Sequence, residues 1–127
     1  LVVGLALLGV AGYYGVAVVV HPDGPVKDLS SRAIRDVFSG KIANWQQLGG
    51  PDLPIEVCVR DPSGATHDSF RSMAMDGLPY SQSARQFASY DDIARSVAAS
   101  PGAIGHVGMD MAAQPGVRAI SINGILP

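Results

Sequence analysis

The chain has little charge, few aromatic residues and a single cysteine. Charged residues make up 16% of its 127 residues, and the formal net charge is -2, so the chain lacks the basic field that attracts nucleic acid. Aromatic residues make up only 6% and do not alternate with basic residues, which argues against a stacking platform for single strands. These shortages exclude nucleic acid as an expected partner.

The single cysteine, Cys58, excludes an internal disulfide bond. Its position in the hydrophobic run PIEVCV predicts a small buried side chain. A nucleophilic thiol needs an electropositive, partly open setting, and no histidine or asparagine lies near Cys58 in the sequence. We therefore expect no catalysis at this position.

The three histidines, His21, His67 and His106, are far apart in the sequence. No pair has a ligand spacing such as H-x-x-x-H, so the sequence indicates neither a metal site nor a cofactor. Isolated polar side chains are more often exposed than buried. We therefore expect each histidine to lie at the surface or to line a loop.

The first twenty residues carry no charge, and this segment allows two interpretations. Twenty uncharged residues are just enough to span a bilayer. Four glycines and the β-branched run at residues 18–20 instead favour two strands, with a break near Ala11 and Gly12. A residual signal peptide or membrane anchor stays the alternative.

The hydrophobic content of 47% is enough for a core, and the length fits one domain over residues 1–127. Helices are predicted at residues 30–40, 63–77, 83–87 and 89–100, strands at IEVCV, AIGHVG and VRAISI, and a loop anchored by Trp45 and Leu48 at residues 42–54. Ser30 and Ser89 are the expected N-caps of two helices, and Gly40 is the expected stop of the first. Helices that alternate with short hydrophobic strands indicate an α/β domain.

The stretch VCVRDPSGATHDSF contains the chemistry most suited to a ligand. A strand that enters a tight turn and then a helix presents unpaired backbone N–H groups, which suit an anion. Gly64 allows close approach to the backbone, Ser63 and Thr66 offer hydroxyls, and Arg60 offers a planar fork of donors. Together these groups predict a pocket for phosphate or sulfate.

Two other interpretations of this stretch are open on local chemistry. Ser63 is a favoured residue type for a plain helix N-cap, and the residue pattern alone favours this over an anion site. Ser63 could also act as a nucleophile with His67, four residues later on the same predicted helix. Such a pair needs an orienting carboxylate and an oxyanion hole, and the residues around Ser63 do not match G-x-S-x-G, so we do not expect an enzyme.

Four segments carry a resemblance to a known family. They are GVAVVVHPDGPVKDLSSRAIRDVFSGKIANWQQLGG, IEVCVRDPSGATHDSF, SPGAIGHVGMD and VRAISINGILP, in the family's order over residues 15–127. They resemble the phosphate-binding proteins of bacterial Pst-type ABC transporters, which are periplasmic binding proteins. The resemblance implies a type 2 periplasmic-binding-protein-like α/β lobe, with a central mixed β-sheet flanked by helices. It also implies a periplasmic or extracellular protein, with membrane anchoring as an option.

The family's second-lobe motif, an arginine followed shortly by Ser-Gly-Thr, implies a ligand set for phosphate or a related oxyanion. The corresponding residues here are Arg60, Ser63, Gly64, Ala65 and Thr66. The interval between the arginine and the serine is one residue shorter than the common pattern. Ala65 lacks the hydroxyl of the family's threonine, and Thr66 is one residue out of register.

The resemblance also implies that a complete family member has roughly a hundred further residues before GVAVVV, which form a first lobe. Residues 21–127 would then be the second, anion-binding lobe and its returning strands. One lobe leaves half of the anion in water, so we expect weaker binding and poor discrimination between phosphate and sulfate.

Two functional hypotheses follow. The first is a non-enzymatic solute-binding protein whose partners are phosphate or a similar oxyanion and the membrane permease of an ABC transporter. The alternative is an interaction or sensory module that has lost the ligand and uses its exposed inter-lobe face for a partner protein or for self-association.

Overall fold

The computed structural model describes residues 15–111 and 115–123. The strands are β1 (Val16–Val20), β2 (Asp28–Leu29), β3 (Glu56–Arg60), β4 (Arg85–Phe87), β5 (Ala103–Gly108), β6 (Arg118–Ala119) and β7 (Ser121–Ile122), and the helices are α1 (Ser31–Phe38), α2 (Ala65–Ala74) and α3 (Tyr90–Ala98). Single 3-10 turns occupy Trp45–Leu48 and Met109–Met111. None of the helices in these ranges is long and apolar enough to cross a membrane. The first predicted N-terminal strand, like the alternative signal or anchor, falls largely outside the described residues.

Five of the strands form one mixed sheet in the order β4-β3-β5-β1-β6. Strands β4, β3 and β5 run parallel to one another, whereas β1 is antiparallel to both β5 and β6. Strands β2 and β7 form a separate parallel pair. All five residues of β1 are buried, as expected for a hydrophobic strand covered on both faces. The predicted α/β fold with a mixed sheet flanked by helices is confirmed.

Helices cover both faces of the large sheet. Val18 and Val59 face the side of α1 and α2, whereas Val19 and Cys58 face α3, because successive side chains of a strand point to opposite faces. Cys58 is fully buried, and burial raises the pKa of its thiol. The prediction of a small buried side chain at Cys58 is therefore confirmed.

Helices α1 and α3 begin where their capping residues predict. The Ser30 hydroxyl accepts a hydrogen bond from the N–H of Ala33 at 3.0 Å, and the Ser89 hydroxyl accepts one from the N–H of Asp92 at 3.1 Å. Gly40 has a φ of 87° just after α1, where a left-handed residue ends the helix. Both caps and this stop were predicted from the sequence.

The predicted helix at residues 83–87 is wrong, because residues 85–87 form strand β4. Arg85 lies opposite Cys58 and Phe87 lies opposite Arg60, so β4 extends the sheet beside β3. Main-chain pairing to the open edge of β3 overrides the weak local preference of this segment. The loop at residues 42–54 is anchored as predicted by Trp45, whose indole N–H donates to the buried carbonyl of Gly102 at 3.0 Å.

Candidate functional site

Strand β3 ends in a turn organised by Asp61. One carboxylate oxygen of Asp61, Oδ1, accepts from the N–H of Ser63 at 3.1 Å and from its hydroxyl at 2.5 Å. These bonds, with the Ser63 hydroxyl as the largest cause, lower the pKa of Asp61. The N–H of Gly64 closes the turn on the Asp61 carbonyl at 3.1 Å.

The N-cap of α2 is Gly64, so the predictions of a helix start at Ser63 and of Ser63 as a plain cap are wrong. The Ser63 hydroxyl donates to the carboxylate of Asp61, a charged acceptor, and this bond orients the side chain toward Asp61 and not toward the N–H groups of α2. Gly64 has no side chain with which to cap the helix. The first N–H groups of α2 therefore have no side-chain acceptor from their own N-cap.

The N–H groups of Ala65 and Thr66 begin α2 without a hydrogen-bond acceptor among the described residues. The next one, the N–H of His67, donates to the Gly64 carbonyl at 3.1 Å. Two neighbouring donors at the positive end of a ten-residue helix form a setting that favours an anion.

Arg60 lies beside this helix end and is fixed through one of its nitrogens. Its Nη1 donates to Asp61 Oδ1 at 3.0 Å and to the carbonyl of Phe87 at 3.1 Å, and its Cζ lies 5.7 Å from the ring centre of Tyr90. Its Nε and Nη2 have no hydrogen-bond partner in the described part of the chain. We call these two nitrogens the free edge of Arg60, and they are the pair of donors that can hold a carboxylate or phosphate.

The guanidinium of Arg60 lies directly against Gly64. A Cβ atom at Gly64 would be 2.4 Å from Arg60 Nη2, 2.5 Å from Cζ and 2.7 Å from Nε, so it would sit over the guanidinium plane. The φ of Gly64 is -93°, an ordinary value, so glycine is needed here for space and not for backbone conformation. The guanidinium of Arg60 therefore packs on the N-cap residue of α2, which is next in the chain to Ala65 and Thr66.

Thr66 is the hydroxyl nearest to these donors, and it is held by a residue that the sequence reasoning missed. The hydroxyl of Tyr90 donates to Thr66 Oγ1 at 2.5 Å. Ala65 is exposed and offers only its N–H. Of the five predicted ligand residues, the structure brings Arg60, Gly64, Ala65 and Thr66 together, while the Ser63 hydroxyl is engaged by Asp61.

His106 contradicts the prediction of surface histidines, because it is fully buried in β5. Its Nε2 accepts the N–H of Arg60 at 3.1 Å, and its ring stacks on Phe70 with centroids 4.6 Å apart. Burial lowers the pKa of His106 to about 3, so the ring is neutral, and Nδ1 carries the proton. The strand pattern AIGHVG could have indicated this, since His106 shares the face of the core residue Ile104.

Ser63 and His67 do not form a nucleophile and base. The hydroxyl of Ser63 is bonded to Asp61, whereas His67 Nδ1 lies 3.2 Å from Asp68 Oδ1 and its ring packs edge-on against Tyr80. Within residues 15–111 and 115–123, no group of three potential metal ligands occurs.

The mixed sheet and its covering helices, with the turn from Arg60 to Thr66 at the carboxyl ends of parallel strands, define the class as an α/β lobe of the periplasmic-binding-protein type. Residues 10–123 match the family described as PBP superfamily domain, and the chain belongs to this family.

The relatives of this chain are phosphate-binding proteins. The chain is 35% identical to the phosphate-binding protein PstS of Bacillus subtilis over 113 residues, which cover 89% of this chain and 37% of the relative. It is 23% identical to the phosphate-binding protein PstS of Borreliella burgdorferi, and the aligned region covers 93% of this chain and 46% of the relative. The chain therefore spans less than half the length of these two relatives, and the predicted resemblance to the Pst-type proteins is confirmed.

Solved structures agree with this assignment. A Clostridium perfringens protein, assigned as a phosphate ABC transporter substrate-binding protein and solved with bound phosphate, has a TM-score of 0.81 at 31% identity, over 87% of this chain and 46% of that one. An ABC-type phosphate transport receptor from Vibrio cholerae has a TM-score of 0.79 at 27% identity, over 89% of this chain and 48% of that one.

Proposed function

We propose that this chain binds phosphate or a similar oxyanion, as one lobe of an extracytoplasmic solute-binding protein of an ABC-type phosphate uptake system. The observation that carries the proposal is a group of uncommitted donors: the Arg60 guanidinium, whose Nε and Nη2 are unused, packs on Gly64, and the N–H groups of Ala65 and Thr66, the next two residues, have no acceptor among the described residues. The names of the relatives, all phosphate-binding or phosphate-transport proteins, support phosphate as the anion.

The donor set suits a tetrahedral anion. The free edge of Arg60 can bond two oxygens at once, and the helix N–H groups can bond a third while the helix dipole favours its charge. The Thr66 hydroxyl adds a donor that Ala65 cannot supply. The Ser63 hydroxyl contributes only if it leaves Asp61.

We further propose that the complete binding site needs a second lobe, because the relatives are more than twice as long as the matched region. A single lobe leaves part of the anion in water, where each hydrogen bond contributes little net free energy. Donors alone also cannot separate protonated phosphate from ionised sulfate, which requires an acceptor. The proposal includes that the protein works outside the cytoplasm and delivers its anion to the permease of an ABC transporter. The relatives are named as phosphate-binding or phosphate-transport proteins, which favours this function over an interaction module that has lost its ligand.

Isothermal titration calorimetry of the chain with phosphate and with sulfate tests the proposal. We expect saturable heat with both anions and a similar dissociation constant for each, with sodium chloride at equal ionic strength as the control. Circular dichroism establishes that the protein is folded. A folded protein that gives no heat with millimolar phosphate would contradict binding by this chain.

A further inference from the structure

Tyr90 contacts three elements beside the proposed anion site at Arg60, Gly64, Ala65 and Thr66. Its hydroxyl donates to Thr66 Oγ1 on α2 at 2.5 Å, and the guanidinium of Arg60 at the end of β3 lies over its ring, with Cζ 5.7 Å from the ring centre. A Cβ atom at Gly108 would be 3.8 Å from Tyr90 Cε2, so the ring also reaches the end of β5. One side chain therefore supports two of the proposed anion donors.

The topology explains why Tyr90 lies there. Strands β3 and β4 are parallel, with Phe87 opposite Arg60, so the chain leaves both strands at the same edge of the sheet. Ser89 then caps α3, which places Tyr90 in the first position of that helix. Tyr90 thus begins its helix close to the point where α2 begins.

The direction of the hydrogen bond decides what the Thr66 hydroxyl can do. A phenol is a stronger acid than an alkyl alcohol, so Tyr90 is the donor and Thr66 Oγ1 the acceptor. The proton of Thr66 then has no acceptor within the described ranges. It stays available to an anion held by the neighbouring N–H groups of Ala65 and Thr66.

We propose that Tyr90 is a positioning residue of the phosphate site. Its hydroxyl bonds to Thr66 Oγ1 and thereby leaves the Thr66 hydroxyl proton to be donated to the anion, and its ring packs beneath the guanidinium of Arg60. The inference rests on the proposed function. It also explains how this site works with alanine at position 65: the hydroxyl donor comes from the next residue and is oriented from α3.

The hydroxyl and the ring of Tyr90 can be separated experimentally. Tyr90→Phe keeps the ring under Arg60 and removes only the bond to Thr66. Tyr80→Phe is the matched control, because the Tyr80 hydroxyl is also partly buried and donates to a main-chain carbonyl, that of His67, at 2.8 Å. Neither change opens a cavity larger than one oxygen atom.

The experiment measures phosphate affinity by calorimetry for the wild-type chain, Tyr90→Phe, Thr66→Val, the double variant and Tyr80→Phe, with the thermal midpoint of each. We expect Tyr90→Phe and Thr66→Val each to weaken binding about ten-fold, the double variant to be no weaker than the weaker single variant, and Tyr80→Phe to bind as the wild type does. Thr66→Ser restores the hydroxyl that Thr66→Val removes, and it should bind phosphate more tightly than Thr66→Val does.

A role of Tyr90 in stability alone predicts a lower thermal midpoint with unchanged affinity. Wild-type affinity in Tyr90→Phe, or losses in the single variants that multiply in the double variant, would overturn the inference and leave the proposed function intact. If the folded wild-type chain binds no phosphate, the proposed function fails, and the inference fails with it.

Discussion

The two ends of helix α2 both have arginine side chains nearby, and the two ends use them differently. At the C-terminal end, Arg71 donates to the carbonyls of Gly77 at 2.9 Å and Leu78 at 3.1 Å, and Arg35 of α1 pairs with Asp76 at 3.2 Å. Arg71 and Arg35 are thus bonded to acceptors of the protein itself.

At the N-terminal end, Arg60 uses only Nη1 for contacts within the protein and keeps its free edge uncommitted. A cleft nevertheless lies at the other end. That cleft has a volume of about 450 Å³, and its lining residues are Ser31, Arg32, Arg35, Met73, Ala74 and Asp76. The difference teaches that the candidate anion site in this lobe is marked by an arginine held by the protein through one nitrogen beside a helix N-terminus with unpaired N–H groups, and not by a cleft alone.

The largest effect on phosphate binding is expected from Arg60, with Arg35 as the control. Arg60→Ala should weaken phosphate binding by ten-fold to a hundred-fold, because hydrogen bonds to a charged group contribute about 1.5–3 kcal/mol. Arg35→Ala, at the other end of α2, should leave the affinity unchanged, since it breaks only its ion pairs with Asp36 and Asp76. Calorimetry on both variants checks this, and an equal loss in both would remove the distinction between the ends.

At the N-terminal end, the main-chain N–H of Arg60 donates to the neutral ring of His106, and burial of this histidine predicts that the free energy of unfolding depends on pH. The unfolded chain takes up a proton at His106 as the pH falls below 6.5, whereas the folded chain does so only near its pKa of about 3. The free energy of unfolding should therefore fall with pH in this window, by up to about 1.4 kcal/mol per pH unit.

Urea unfolding of the wild type and of His106→Phe, between pH values of about 6.5 and 4.5, measures this slope. Asp61, whose pKa is lowered from its ordinary 3.8, also makes the folded protein less stable as the pH falls, but it does so mainly below this pH range. We expect a shallower slope in His106→Phe, whatever its absolute stability. An unchanged slope would mean that His106 is not the group responsible.

Gly64→Ala should weaken phosphate binding about ten-fold, because its Cβ atom would displace the Arg60 guanidinium from the position it now occupies. The backbone conformation of Gly64 suits alanine, so the thermal midpoint should change little. Ala65→Ser is the matched control: it adds a side-chain atom at the next, exposed position and should not weaken binding. Undiminished affinity in Gly64→Ala would show that the contact between Gly64 and Arg60 is unimportant.

The smallest effect is expected at Ser63. Ser63→Ala should change the free energy of unfolding by less than about 0.5 kcal/mol, because Ser63 does not cap α2 and water can replace its exposed hydrogen bond to Asp61. Ser30→Ala and Ser89→Ala remove true caps and should each cost about 1 kcal/mol. Urea unfolding compares the three, and a cost at Ser63 as large as at the two caps would contradict this description of the turn.

Sequence reasoning predicted the elements whose signals are local. The hydrophobic runs gave β1, β3 and β5, and the caps Ser30 and Ser89 gave the starts of α1 and α3, because periodicity and capping depend on residues within one or two turns. It failed at residues 83–87, where pairing with β3 decides the structure. The start of α2 was wrong because Asp61, only two residues away, competes for the Ser63 hydroxyl.

The stretch from Arg60 to Thr66 could be chosen from residue types alone, since a strand, a glycine turn, hydroxyls and an arginine are all readable along the chain. The arrangement that makes it a candidate site could not. Arg60 is fixed by a carbonyl 27 residues away and its backbone by a histidine 46 residues away, and Thr66 is held by a tyrosine 24 residues away. Contacts at such separations arise only when parallel strands place their carboxyl ends together, and no local pattern encodes them.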